Sequence, residues 1–130
     1  MTDYRPKDIN EQAFVYYRRL RRVNQYCSQH FSEKITLRSA ADLAALERTY
    51  FSSYFHDKVG VCFNCWLSFL RVTEAKRLLR TSDRPISNVA VDVGFNNLTS
   101  FRRAFKRCTG QTPSDFKRGD QALPDPASKN

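Results

Sequence analysis

An internal repeat limits the folds open to this sequence more than any other feature. Positions in residues 35–66 match positions 49 or 50 residues later, with one extra residue in the second copy. The matched pairs are Leu37 and Ile86, Ala41 and Ala90, Ala45 and Gly94, Leu46 and Phe95, Phe51 and Phe101, Phe55 and Phe105, Gly60 and Gly110, and Trp66 and Phe116. Two copies are too few for a solenoid, which needs at least three repeats. The chain therefore contains two similar supersecondary units in tandem.

Each copy predicts a short helix, a tight turn and a longer helix. Thr36 suits an N-cap position, and Gly60 suits the position after a helix C terminus. Pro85 restarts a helix that stops at Gly94. This order of elements is the outline of a helix-turn-helix motif. Since no segment alternates well enough to predict a strand, we expect an all-α fold.

The longest apolar pattern lies between the two copies. One stripe contains Phe63, Trp66, Leu67, Leu70, Ala75, Leu78 and Leu79, and a second contains Cys65, Phe69 and Val72. A helix that is apolar on two sides should pack against two bodies. We therefore predict an N-terminal helix on the first motif (1–34), a first helix-turn-helix (35–60), a long linker helix (61–82), a second helix-turn-helix with a short last helix (83–118) and a disordered tail (119–130).

The N-terminal segment predicts one amphipathic helix from Phe14 to Phe31. Apolar residues recur every three or four positions and arginines lie between them. We expect its apolar face to cover the first motif. The part from Tyr16 to Arg22 would be either a phosphate-contacting arm or a dimer surface. On this prediction residues 1–12 are not needed for folding.

The charge balance favours a polyanionic partner. There are 22 Lys and Arg residues against 13 Asp and Glu, a formal net charge of +9. Nucleic acid fits this charge first and a membrane surface second. No apolar run approaches the roughly 20 residues that span a bilayer, and the N terminus does not resemble a signal peptide. We therefore expect no membrane association, a cytoplasmic location and reduced cysteines.

The longer helix of the second copy separates its apolar and cationic side chains. Leu98, Phe101, Phe105 and Cys108 recur at a spacing that can face the core, whereas Thr99, Arg102, Arg103 and Lys106 share another face. The second helix of such a motif enters the major groove, where arginine can bind guanine through two hydrogen bonds. The alternative is a solvated basic face on a helical bundle. Two matched units in a chain of this charge favour DNA binding.

The second copy also resembles a known family. The stretch "ISNVAVDVGFNNLTSFRRAFKRCTGQTPSDFKR" is similar to the signature of AraC/XylS-type bacterial transcription regulators. The matching positions are Ile86, Ala90, Gly94, Phe95, Phe101, Phe105, Lys106, Gly110, Thr112, Pro113 and Phe116. Lys117 stands where arginine is usual, and Arg118 follows it. The resemblance runs from about Ile35 to Arg118.

The resemblance implies a sequence-specific regulator of transcription that binds double-stranded DNA, an activator that contacts RNA polymerase. It would act as a monomer or weak dimer on DNA, with two helix-turn-helix subdomains tied by a linker helix. By position, the first recognition helix would use Arg48, Thr49, Ser52, Ser53 and His56. The second would use Leu98, Thr99, Arg102, Arg103 and Lys106, with Leu98 available to a thymine methyl group.

The first copy departs from the family pattern. Ala45 replaces the usual turn glycine, Glu47 stands where serine is common, and Ser53 occupies a position that often holds arginine. Residues 35–60 carry three basic and three acidic side chains, whereas residues 85–118 carry six and two. We therefore expect the second motif to read bases and the first to make weaker, phosphate-directed or water-mediated contacts.

The cysteines allow three interpretations. Cys27, Cys65 and Cys108 lie on apolar stripes, which favours core packing, with Cys62 replacing the family's N-capping serine. The Cys62-x-x-Cys65 spacing at a helix start also suits a redox pair. A zinc site would add Cys27 and His30. We predict no bound metal and no cofactor. The thiol pair and the neutral first motif keep a second function open, a redox-responsive or protein-interaction accessory module that binds DNA weakly.

The sequence offers no catalytic pattern. His30 and His56 have no serine or aspartate constellation around them, and there is no paired-carboxylate motif or glycine-rich phosphate loop. We therefore predict that the protein is not an enzyme. About 34 residues precede the family resemblance, which leaves no room for an effector-binding domain. The chain would be either a stand-alone regulator or a piece of a longer one.

Overall fold

The computed structural model describes residues 8–122, and its regular structure within them is entirely helical. The helices are α1 (Ala13–Tyr16), α2 (Arg18–His30), α3 (Leu37–Leu43), α4 (Arg48–Val59), α5 (Phe63–Thr81), α6 (Ile86–Asp92), α7 (Leu98–Thr109) and α8 (Pro113–Ala122). Helices α3 and α4 form the first helix-turn-helix, and α6 and α7 form the second. The prediction of an all-α fold with two such motifs and a long linker helix is confirmed.

Two hydrophobic cores use different parts of helix α5. Phe63, Trp66 and Leu67 belong to the first core, which is closed by the buried rings of α4. Val72, Ala75 and Leu79 belong to the second core with the buried rings of α7. The linker helix therefore serves two bodies, as predicted. The predicted stripes do not match the two cores, because the stripe that contains Phe63 also contained Ala75 and Leu79 of the second core.

Side-chain caps fix where the two longer motif helices begin. The Glu47 carboxylate accepts a hydrogen bond from the backbone N–H of Tyr50 at 3.0 Å at the start of α4. The side-chain oxygen Oδ1 of Asn97 accepts a hydrogen bond from the backbone N–H of Ser100 at 2.8 Å at the start of α7. Thr36 caps α3 as predicted. Such caps each stabilise a helix by about 1 kcal/mol.

The turn of the first motif holds a residue with a side chain in a left-handed conformation. Ala45 has a φ of 58°, and its counterpart Gly94 has a φ of 108°. This conformation costs a residue with a Cβ atom about 1–2 kcal/mol. Arg19 Nη1 of α2 donates to the carbonyl oxygens of Ala44 at 2.7 Å and Ala45 at 3.1 Å, which holds the turn in place.

Ala45→Gly is expected to raise the free energy of unfolding by about 0.5–1 kcal/mol. Removing Cβ relieves the left-handed strain, and the greater entropy of glycine in the unfolded chain offsets part of that gain. Urea unfolding measures the change. The matched control is Ala44→Gly, because Ala44 is buried with an ordinary φ of −84° and should lose stability. Equal losses in both variants would contradict the strain argument.

The N-terminal helix is broken at Tyr17, where a single helix had been predicted. Tyr17 has φ −98° and ψ 115°, an extended conformation between α1 and α2. The break turns Phe14 onto Trp66, with the ring centroids 4.9 Å apart. Beyond the break, α2 buries Leu20, Val23 and Cys27. The predicted packing of this segment on the first motif is therefore achieved by two helices.

Residues 8–12, which precede α1, belong to the folded unit. Ile9 is buried in the first core. Asn10 donates its backbone N–H to the carbonyl oxygen of Val59 at 2.7 Å and its side-chain amide to that of Lys58 at 3.1 Å. These bonds satisfy carbonyl groups at the C terminus of α4. They argue against the prediction that residues 1–12 are not needed for folding, although residues 1–7 lie outside the described range.

Helix α8 closes the second core and ends at Ala122, four residues past the boundary predicted at Arg118. Phe116 is buried against Phe105, with 5.4 Å between the ring centroids. Lys117 Nζ donates to the carbonyl oxygen of Arg84 at 3.2 Å and so ties α8 to the start of the second motif. The rest of the predicted tail, residues 123–130, lies outside the described part of the chain.

Candidate nucleic-acid interface

Helix α7 presents a cationic face to solvent. Its buried side carries Phe101 and Phe105, both fully inaccessible. Four of the five predicted contact residues, Thr99, Arg102, Arg103 and Lys106, are exposed on α7. The fifth, Leu98, is half-buried and packs against the second core. Only part of the Leu98 side chain is therefore accessible to a ligand.

Helix α4 presents a nearly neutral face. Its predicted contact residues are all exposed: Arg48, Thr49, Ser52, Ser53 and His56. A depression of about 400 Å³, which we call the first-motif groove, is lined by Ser52, Ser53, His56, Asp57 and Cys62. Oδ2 of Asp57 lies 3.2 Å from Nζ of Lys58, and the hydrogen bond between them raises the pKa of the lysine ammonium group. The groove therefore contains a carboxylate and no lysine or arginine.

The N termini of the two recognition helices differ in charge. Hydrogen bonds from the backbone of Thr49, and then of Tyr50, lower the pKa of the Glu47 carboxyl group. Glu47 is therefore ionised at neutral pH and places a negative charge at the end of α4 that attracts anions. The corresponding cap of α7 is the neutral amide of Asn97. A phosphate group is accepted more readily at the N terminus of α7 than at that of α4.

A cleft of about 510 Å³, the intermotif cleft, separates the two motifs. Ten residues line it: Lys34, Ile35, Thr36, Asn64, Ser68, Arg71, Gly94, Phe95, Asn96 and Ser100. Thr36 and Asn64 come from the start of the first motif and of α5, and Ser100 comes from α7. The cleft thus lies between the start of the first motif, α5 and the second motif, and Lys34 and Arg71 are its two cations.

Arg71 was missed by the sequence analysis, and it joins three parts of the fold. Its Nε donates to the carbonyl oxygen of Phe31 at 2.7 Å, and its Nη2 donates to that of Glu33 at 3.0 Å. Its guanidinium group lies 5.8 Å from the ring centroid of Phe95 in the second motif. Burial lowers the pKa of Arg71 from its usual value. The available signal was an arginine flanked by Leu70 and Val72 within an apolar pattern.

Some arginines of the N-terminal segment donate to backbone carbonyl groups, and others only line a cleft. Arg19 holds the first-motif turn, and Arg21 Nη2 donates to the carbonyl oxygen of Val15 at 2.7 Å. Arg18 and Arg22 line a cleft of about 490 Å³ together with Tyr16, Tyr17, Arg19, Ala45 and Tyr54. Whether this surface is a phosphate-contacting arm or a dimer surface stays a prediction.

The four residues of the zinc interpretation do not form a metal-binding cluster within the described residues. No group of three or more potential metal-binding side chains occurs between residues 8 and 122. Cys27 is fully buried, and desolvation raises the pKa of its thiol to about 12. Cys62 is exposed and caps α5, in the position predicted for an N-capping serine. Cys65 and Cys108 are partly buried against the cores, so the core-packing interpretation fits Cys27, Cys65 and Cys108, with Cys62 as the N-cap.

Comparison with known proteins identifies the family. A family model described as a helix-turn-helix domain matches residues 40–119. The chain is 35% identical over 102 residues to the arabinose operon regulatory protein of Escherichia coli K12. The chain belongs to the AraC-type helix-turn-helix family. The resemblance seen in the sequence of the second copy is therefore confirmed.

Solved structures agree with this membership. The DNA-binding domain of AdpA, crystallised with a target DNA, superposes on this AraC-type chain with a TM-score of 0.71 and 30% identity. That match covers 77% of this chain and 90% of the AdpA domain. The C-terminal domain of AraT, a response regulator from Geobacillus stearothermophilus, gives a TM-score of 0.73 at 28% identity and covers 86% and 92% of the two chains.

The AraC-type chain matches only part of its longer relatives. The alignment with the E. coli arabinose regulator covers 78% of this chain and 35% of the relative. A Staphylococcus aureus relative, named an uncharacterised helix-turn-helix transcriptional regulator, is 34% identical and covered over 14% of its length. These relatives are named as regulators rather than enzymes. Across residues 8–122 no helix has the length and apolar character needed to cross a bilayer.

Proposed function

We propose that this AraC-type chain binds double-stranded DNA in a sequence-specific manner and regulates transcription. One observation carries the proposal. Two exposed recognition helices, α4 and α7, are attached to a single helix through separate cores, and α7 carries an exposed cationic face. The chain's likeness to a DNA-binding domain solved with its target supports the same conclusion. Helices α4 and α7 enter successive major grooves on one side of the duplex.

The second motif reads bases in this proposal. Arg102 and Arg103 lie on the exposed face of α7, and arginine can donate two hydrogen bonds to the O6 and N7 atoms of guanine. Lys106, one turn further on, binds phosphate as a point charge. Thr99 lies in the first turn beside Asn97, whose neutral amide leaves the positive end of α7 open to phosphate. Partly buried Leu98 offers only its accessible edge to a thymine methyl group.

The first motif positions the protein more than it reads sequence. The hydroxyl groups of Thr49, Ser52 and Ser53 form neutral hydrogen bonds, which are weaker than charge-assisted ones. The Glu47 carboxylate repels phosphate from the start of α4, so Arg48 has to supply the compensating charge there. His56 and the hydroxyl groups reach DNA edges directly or through water. The two motifs therefore contribute unequally to specificity.

A selected binding site of about 18–20 base pairs per monomer is the expected result of a footprinting experiment. Successive major-groove windows on one face lie one helical turn apart, roughly 34 Å, and each motif covers one window. Site selection from random duplexes, followed by a footprint at measured protein-to-DNA ratio, tests this. A protected region of half that length with one monomer bound would contradict the use of both motifs, and equal affinity for selected and random duplexes would contradict sequence specificity.

We propose that the chain binds DNA as a monomer or as a weak dimer. Support for the monomer comes from the presence of both recognition helices in one chain. Activation through contact with RNA polymerase belongs to the same proposal and draws its support from the AraC-type family resemblance. Residues Tyr16 and Arg18 border an exposed cleft on the first motif, a surface open to such a contact.

A further inference from the structure

Two thiols meet at the start of helix α5. Cys62 is the N-cap residue, and its sulfur accepts a hydrogen bond from the backbone N–H of Cys65 at 3.3 Å. The thiol of Cys62 also donates to the sulfur of Cys65, with the two Sγ atoms 2.9 Å apart. The Cys-x-x-Cys spacing therefore brings both sulfurs into contact in the folded protein.

The two thiols have different surroundings. Cys62 is exposed, so a small molecule can reach its sulfur. Cys65 is half-buried against the first core, and burial raises the pKa of its thiol to about 11, with the hydrogen bond to Cys62 as a further cause. Of the two sulfurs, that of exposed Cys62 is the one that a dissolved disulfide reaches first. Cys62 is thus the attacking sulfur and Cys65 the sulfur that reacts second.

We propose that Cys62 and Cys65 form a dithiol redox site that small-molecule disulfides convert to an intramolecular disulfide. The Cys62 thiolate attacks one sulfur of a disulfide such as oxidised glutathione, which forms a mixed disulfide and releases one thiol. Cys65 then gives up its proton and attacks the Cys62 sulfur, which releases the second thiol. The protein loses two protons and two electrons, and one molecule of disulfide takes them up and is reduced to two thiols.

The position of the site connects this chemistry to the first motif. Cys62 borders the first-motif groove with Ser52, Ser53 and His56 of α4. A mixed disulfide on Cys62 therefore projects into the groove, and attack by Cys65 removes it. Cys27 does not take part, because it is fully buried within the first core.

Reaction of the reduced protein with excess oxidised glutathione tests the proposal without any DNA. After an acid quench, unfolding and maleimide labelling, intact mass is expected to show loss of two of the four labelled thiols and no retained glutathione. Both cysteines fall in one tryptic peptide, residues 59–71, so the disulfide appears there as a loss of two hydrogens. Dithiothreitol is expected to restore all four thiols.

Three variants identify the two roles. Cys65→Ser is expected to retain one glutathione on residue 62. Cys62→Ser is expected to retain no glutathione and to form no disulfide, so the number of its labelled thiols stays the same. Cys108→Ser is the matched control, because Cys108 packs against both cores, and it should form the disulfide as the parent does. Retention of four thiols by the parent, a stable glutathione adduct on it, or loss of the disulfide in Cys108→Ser would each overturn the proposal.

Discussion

Gly94→Ala is expected to lower the free energy of unfolding by about 3 kcal/mol. Gly94 has a φ of 108°, a conformation that side chains rarely adopt, which costs roughly 1–2 kcal/mol. An added Cβ would lie 2.8 Å from the carbonyl oxygen of Phe31, 2.9 Å from Nε of Arg71 and 3.0 Å from Cα of Ser32. Two of these three atoms belong to backbone, which moves only at a cost, and overpacking of this kind adds about 1–3 kcal/mol.

Gly110→Ala is the control for this variant. Gly110 has a φ of 83°, so alanine is strained there too, yet nothing lies within 4 Å of an added Cβ. The free energy of unfolding of this variant is expected to fall only by the cost of the left-handed conformation, about 1–2 kcal/mol. Urea unfolding of both variants compares the two effects. Losses of the same size would show that the close approach of the second-motif turn to the end of α2 contributes nothing.

Arg103→Ala and Arg102→Ala are each expected to weaken binding to a selected duplex by about 1–3 kcal/mol if the arginine reads a guanine edge. The same change should relax base preference at one position. Ser52→Ala and Ser53→Ala should cost less, because neutral hydroxyl contacts are weaker than charge-assisted ones. Binding titrations on matched, single-mismatch and random duplexes at fixed salt measure these differences.

Lys106→Ala separates charge from base reading in the same experiment. Its loss should weaken binding to all duplexes alike and reduce the salt slope by about 1, because phosphate contacts carry no sequence information. Greater loss of discrimination in the Ser52 and Ser53 variants than in the two arginine variants would reverse the proposed ranking of the motifs.

Much of the fold was predictable because its signals are local. Thr36 and Asn97 cap helices, and glycines follow α4 and α7, so the helix limits could be located from residue type. The amount of apolar surface on α5 predicted that the helix serves two bodies, but the stripes did not show which residues serve which core, because the division lies along the helix between Leu67 and Val72. The break at Tyr17 could not be predicted, since the apolar pattern continues through it. It follows from a distant contact, the stacking of Phe14 on Trp66.

The candidate interface was predictable only in part. Exposure of Arg102 and Arg103 follows from the same periodicity that buries Phe101 and Phe105. The structural role of Arg19 and Arg71 was not predictable, because both donate to backbone carbonyl groups at least 25 residues away in sequence. Arg71 stood within an apolar pattern, between Leu70 and Val72, whereas Arg19 lies among other arginines that give no sign of which of them binds the protein's own backbone.

The shared helix α5 sets a limit on how this chain can be recombined. Leu67 belongs to the first core and Val72 to the second. The change from one core to the other therefore takes five positions, about 7.5 Å along the helix. In a chimera joined within that interval, the two ends of α5 would come from different proteins. Each end would then continue into a helix segment that packs on another protein's core. The halves repeat one another in sequence, yet both of their cores use the same helix. Any exchange of recognition specificity has to be made on the exposed faces of α4 and α7, with α5 and both of its flanks kept intact.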